Sequence, residues 1–206
     1  MLSRVRTGRV DADTFAIDVP SGRARVIGLV PHEILTTAHE LPVRTESGKF
    51  DAALNPGLVK VAVLERHHAL GTVGTGILSG YIEANAVMPG AVATTIAHDS
   101  HNLIVTGSSD ELIVQAANRL IAMQGGIVCC DRDTMTEMPL PVGGLMSDAD
   151  LGTVIRQYDR TERHIHALGC PFSTPVMQLA FLALPVIPSL RLTDRGLFDA
   201  TRFEFV

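Results

Sequence analysis

The chain has 206 residues, 46% of them apolar, and a formal net charge of −5. That composition belongs to a globular core-former rather than a disordered chain, and its scattered Lys and Arg argue against nucleic acid or an anionic membrane as partner. Three cysteines, Cys129, Cys130 and Cys170, make an odd count with two adjacent, which favours reduced thiols in a cytoplasmic protein.

The start of the chain, Met1 to Arg6, lacks the apolar core of a signal peptide. Pro175 to Pro188 is the most apolar segment, but it is too short and too Pro-rich to span a bilayer. The length suits one well-buried domain, read as a β-rich lead-in over 1–56 and an α/β core over 57–206.

In chain order, residues 9–19 and 23–30 read as two strands around the Pro20-Ser21-Gly22 turn, the second alternating basic and apolar side chains. A further β-rich run covers 34–44 and turns at Thr45 to Lys49. Leu58 to Leu64 is a nearly continuous apolar strand that empties into Glu65-Arg66-His67-His68. Gly71, Gly74, Gly76 and Gly80 follow. Their spacing is not that of a dinucleotide loop and no Lys-Ser/Thr comes after, so close backbone packing is expected and no nucleotide cofactor.

Strands are predicted over 92–97 and 103–106, either side of His98-Asp99-Ser100-His101-Asn102. Ser108 and Glu111 have capping-box spacing for a helix whose apolar face is Leu112, Ile113, Ala116, Ala117, Leu120 and Ile121, and which stops at Gly125. Ile127 to Cys130 reads as a buried strand with 134–140 as hairpin partner. A helix over 147–168 should bury Leu151, Val154, Ile155, Tyr158, Ile165 and Leu168. Another, over 175–184, is apolar nearly all round and therefore central. The tail is expected to tuck Phe198, Phe203 and Phe205 inward. The fold class is α/β (α+β), a mixed sheet layered with about three main helices.

The chemistry concentrates at two strand ends. His98 and His101 with Asp99 offer imidazole and carboxylate donors suited to Mn, Fe or Zn. Glu65, His67 and His68 could join them if the strands are neighbours, with Ser100 and Asn102 in support. The competing reading makes these residues ordinary hydrogen-bonding caps. His164-Ile165-His166 looks like the His-X-His pair of metal hydrolases. On a helix, however, residues two apart point about 200° from one another, so a structural role is expected. Cys129 and Cys130 lie in an apolar strand, where burial makes a thiol inert. Neither a Gly-X-Ser-X-Gly elbow nor a His-X-Glu with Pro-Cys-X-X-Cys signature occurs.

His98 to Asn102 and its strand, Pro139 to Asp148, Leu182 to Pro188, Leu192 to Asp199 and Phe203 to Val206 together resemble the C-terminal domain of bacterial adenine deaminases, over nearly the whole chain. The resemblance implies the family reaction, adenine and water to hypoxanthine and ammonia, with the metal centre on a separate amidohydrolase barrel. Such a barrel needs about 250 residues, which do not fit beside these motifs. The expected partners are therefore an amidohydrolase barrel, a purine substrate and, through apolar surface left uncovered, further copies of the chain. Two other readings stand beside this one: a non-catalytic assembly or lid domain, and an autonomous metal-dependent or purine site at His98 and His101.

Overall fold

In a computed structural model, which describes residues 5–206, the segments form β1 (Arg23–Leu29), β2 (Thr36–Pro42), β3 (Thr45–Glu46), β4 (Lys49–Phe50), β5 (Leu58–Leu64) and β6 (Val73–Ser79). Next come β7 (Ala91–Thr94), β8 (Leu103–Gly107), α1 (Asp110–Met123), β9 (Gly126–Cys130) and β10 (Met135–Pro139). The chain closes with α2 (Leu151–Ala167), α3 (Pro175–Leu182), β11 (Leu190–Thr193), β12 (Gly196–Asp199) and β13 (Glu204–Phe205). Eight strands make one sheet in the order β10-β9-β7-β8-β5-β6-β1-β2, and β11-β12-β13 make a small second one. Within the large sheet β1 and β6 run parallel and the other pairs antiparallel. This is the mixed-sheet α+β architecture that the sequence predicts.

Period-two alternation sorts the strands' side chains onto two faces. In β5, Val59, Val61 and Val63 join one core with Ile165 of α2, Leu179 of α3 and Leu192 of β11. Ala62 and Leu64 join the other, with Leu112, Ile113, Ala116, Ala117 and Leu120 of α1. Helix α1 thus covers one face; α2, α3 and the small sheet cover the other. Each fully buried Val or Leu contributes about 1.5–3 kcal/mol, so the central strands are where the apolar runs had to go. Lys60 interrupts the apolar run of β5 on the α1 face, and its buried ammonium meets the Asp110 carboxylate at 2.7 and 2.9 Å. Gly74 shows why glycine is needed in β6. A Cβ there would lie 1.9 Å from the Thr193 carbonyl oxygen, so the small sheet could not sit against the large one.

Several boundaries differ from expectation. Residues 9–19 form no strand: they carry a 3-10 turn at Asp13–Phe15 that plugs Val10 and Phe15 onto the α1 side. The run over 34–44 shortens to β2, and that over 92–97 ends at Thr94. The cap of α1 is Ser109, whose Oγ accepts from the Leu112 N–H, while Ser108 Oγ accepts from the Met88 N–H. Helix α2 starts later than predicted, capped by Asp150, and leaves Leu151 and Ile155 exposed while Val154 and Tyr158 pack against the core. In the tail Phe198 is buried, but Phe203 and Phe205 stay exposed. They pack edge-on against Phe198 at 5.3 and 5.2 Å, and the Arg195 guanidinium lies over the Phe205 ring at 5.6 Å.

Candidate functional site

β5 and β8 are antiparallel neighbours with Leu64 opposite Leu103. The turn after β5 and the loop before β8 therefore emerge side by side, and 65–68 meets 98–102 at one edge of the sheet. The contact is made by side chains of 65–68 on backbone carbonyls of 98–102. His67 Nε2–H donates to the Ser100 carbonyl at 2.8 Å, and the Arg66 guanidinium donates through Nε to the His101 carbonyl. Arg66 also reaches the Gly143 carbonyl at 2.8 Å. Buried at 2% exposure, it pins the histidine loop to β5 and to the turn before α2. Burial lowers the guanidinium pKa and the neighbouring Glu65 charge opposes that.

Glu65 is committed to its own turn. Oε1 accepts the N–H groups of His67 and His68, and Oε2 that of Leu70 at 3.1 Å. Burial pushes its pKa up, but these N–H donors outweigh burial and hold it below the usual carboxylate range. Its oxygens are thus occupied, which argues against Glu65 as a metal donor. His68 is exposed, with Nδ1 at 3.3 Å from Glu65 Oε1. His98 is half-buried: its ring lies on Phe181 with centroids 4.8 Å apart, and its N–H donates to the Ala180 carbonyl. Asp99 and Ser100 are exposed, and Ser100 Oγ accepts weakly from the Asn102 N–H at 3.5 Å.

His101 and Asn102 are different. His101 sits in the left-handed region at φ +52°, and its Nδ1 is buried with no partner among the described residues. Asn102 is buried; its amide donates to Asp194 Oδ1 at 3.2 Å, but its Oδ1 has no partner. Asp194 in turn accepts from Thr72 Oγ at 2.7 Å. Two buried polar atoms on adjacent residues thus lack partners among the described residues, in a loop that is otherwise tightly tied down. Buried polar groups are nearly always paired, so each such atom calls for a physical account.

The candidate residues are thus brought together in part. His67 touches the 98–102 loop, His98 faces α3, and Glu65 and His68 keep to their own turn. Among the described residues no three His, Cys, Asp or Glu side chains converge closely enough to hold a metal ion. The donors at this edge do not fit a resident Mn, Fe or Zn held by this chain alone. Arg66, Asp194, Thr72 and Phe181 also belong to the site, although sequence alone does not mark them as functional. Arg66 stood next to Glu65 in the sequence, and its alternation out of an apolar strand was the one local signal. Asp194 and Phe181 lie far along the chain and only the fold joins them to the loop.

The other candidates are structural. His164 Nδ1 accepts from Thr136 Oγ at 3.0 Å and Nε2–H donates to Asp131 Oδ2 at 2.9 Å, while His166 donates to the Cys170 carbonyl. The three cysteines are free and buried; burial pushes the Cys130 and Cys170 thiols to about 11 and Cys129 higher.

The fold and its loops define an α+β domain that presents one polar, histidine-bearing edge from an otherwise apolar scaffold. The sequence model of the adenine deaminase C-terminal domain family matches residues 33–204, and the chain belongs to that family. It is 43% identical over 203 residues to the adenine deaminase of Brucella abortus (strain 2308), covering 98% of this chain and 34% of that protein. Against adenine deaminase 2 of Carboxydothermus hydrogenoformans the identity is 43%, covering 98% of this chain and 35% of the relative. The adenine deaminase of Nitratidesulfovibrio vulgaris (strain DP4) is 45% identical, with 95% and 34% covered. The chain spans about a third of the length of the relatives it matches.

Proposed function

We propose that these 206 residues work as the partner unit of an adenine-hydrolysing amidohydrolase barrel and do not deaminate adenine alone. The observation that supports this is one of extent: 98% of the chain aligns with about a third of an adenine deaminase, and no more of that relative is covered. In this reading the barrel holds the metal, Mn, Fe or Zn, which supplies an activated water. The present chain contributes the edge built from 65–68 and 98–102. Asp99 and Ser100 are free at the surface to meet the barrel or the substrate. Arg66 and Asp194 hold the loop in place, and a shift of the loop as the barrel docks lets the buried, unpartnered atoms of His101 and Asn102 reach partners. Such positioning of polar groups costs stability in the isolated domain and is recovered on assembly.

The same reading places the protein in the cytoplasm, with its cysteines reduced. No helix among the described residues is long and apolar enough to cross a membrane. The exposed Met146, Leu151 and Ile155 next to the start of α2 offer apolar surface for a barrel or for a second copy of the chain. The test is ammonia release from adenine by the chain, by an adenine deaminase barrel, and by both. Release that needs both supports the proposal. Turnover by the chain alone at a comparable rate overturns it and favours an autonomous site at His98 and His101.

A further inference from the structure

We propose that the groove between residues 31–34 and 171–181, beside His98, is a slot for a single purine base. The choice of purine rests on the function proposed above; the slot itself rests on shape and chemistry. Its volume is about 240 Å³, which at ~30 Å³ per liquid water is the share of some eight waters. That is room for one fused bicyclic ring, and the Glu33 carboxylate in the lining disfavours a phosphate beside it.

The lining suits a flat heterocycle. Phe172, Phe181, Met177 and Pro31 supply apolar and aromatic walls, while Gln178 and Glu33 supply the polar edge. A carboxamide presents an acceptor and a donor side by side, the complement of adenine's exocyclic amine and adjacent ring nitrogen. A carboxylate can accept the amine's second hydrogen. Among the described residues neither the Gln178 nor the Glu33 side chain is engaged in a hydrogen bond, so both are available to a ligand.

The groove is also held open by design of the fold. One buried guanidinium, Arg191, donates to the Ile34 carbonyl at 2.6 Å on one wall and to the Phe181 carbonyl at 3.1 Å on the other. It further holds the Ile187 and Pro188 carbonyls at 2.6 and 3.0 Å. With both walls clipped to a single side chain, a base entering the slot orders little that is not already ordered, which favours binding of a small ligand. The Phe181 ring of the slot also packs on the His98 ring with centroids 4.8 Å apart, so the slot and the polar edge share that residue.

Adenine titrated into the 206-residue chain, followed by calorimetry and ligand-observed saturation-transfer NMR, tests this. Adenine should bind, adenosine monophosphate should bind at least tenfold more weakly, and Phe181→Ala should weaken adenine at least tenfold. Gln178→Leu, a half-exposed position where folding is not at stake, should do the same with an unchanged thermal melt. No adenine binding at millimolar concentration, equal binding of the monophosphate, or affinity unchanged in Gln178→Leu would each overturn the slot. Failure here with barrel-dependent ammonia release intact removes the slot and leaves the assembly reading standing. Adenine binding that depends on Phe181 and Gln178, without barrel-dependent release, does the reverse.

Discussion

Two histidines of this protein are both largely enclosed, and they could hardly be treated more differently. His164 has each ring nitrogen matched, one by a buried threonine hydroxyl and one by the Asp131 carboxylate. His101 has its Nδ1 shut away from solvent with no partner among the described residues, next to an asparagine whose side-chain carbonyl lacks one too. The first is a polar residue absorbed into a scaffold; the second is a polar residue the scaffold holds up and does not satisfy. Since an unmet buried donor or acceptor costs about 1–3 kcal/mol, the His101 loop keeps a deficit that a rearrangement of the loop on docking can relieve.

That contrast can be sharpened by substitution. The largest effect should come from Arg66→Met, which takes the donor from the carbonyls of His101 and Gly143 inside the fold. About 3 kcal/mol of destabilisation is expected, read as a melting temperature lower by roughly 6–12 °C. An unchanged melt would mean the loop does not depend on its guanidinium clip. His164→Ala should follow at about 2 kcal/mol, because it empties a packed site and takes a hydrogen-bond partner from both the buried Thr136 hydroxyl and the Asp131 carboxylate. Urea unfolding would show this, and a loss below half that value would put His164 in the same class as His101.

Glu65→Gln comes next, at about 1 kcal/mol near neutral pH, because a neutral amide is a weaker acceptor for three backbone N–H groups. The sign with pH is determined. The Glu65 pKa is held below its ordinary value of 4.5, so its contribution is complete above that value and drains away as pH falls through the lowered one. Stability curves of the wild type and Glu65→Gln should converge in acid; parallel curves down to the acid limit would refute the assignment. The smallest effect should be His101→Asn, within about 0.5 kcal/mol, since asparagine tolerates the left-handed backbone and no hydrogen bond of the ring is lost. A cost comparable to that of His164→Ala would end the contrast.

Much of the scaffold was legible in the sequence because it follows from periodicity. The apolar run at Leu58 to Leu64 had to be a central strand, and the glycines after it had to permit close packing. The errors have physical causes. Residues 9–19 have strand-like composition, but Phe15 and Val10 find burial against α1 without a ladder. Leu151, Ile155, Phe203 and Phe205 were assigned to the interior by hydrophobicity alone, which cannot say whether a second layer exists to cover them. At the polar edge, the sequence brought out His98 to Asn102 and Glu65 to His68. It could not show that Glu65 faces its own turn, nor that Asp194, over ninety residues on, completes the setting of Asn102. Such pairings exist only once strand order is known.

The most direct test of the account is ammonia release from adenine by the chain combined with an adenine deaminase barrel, compared between wild type and His98→Ala/His101→Asn. Release should require both components and fall at least tenfold in the double variant while its melting temperature stays within a few degrees. Equal release by the variant, or full release by either component alone, would contradict the claim that this edge is held ready for a partner.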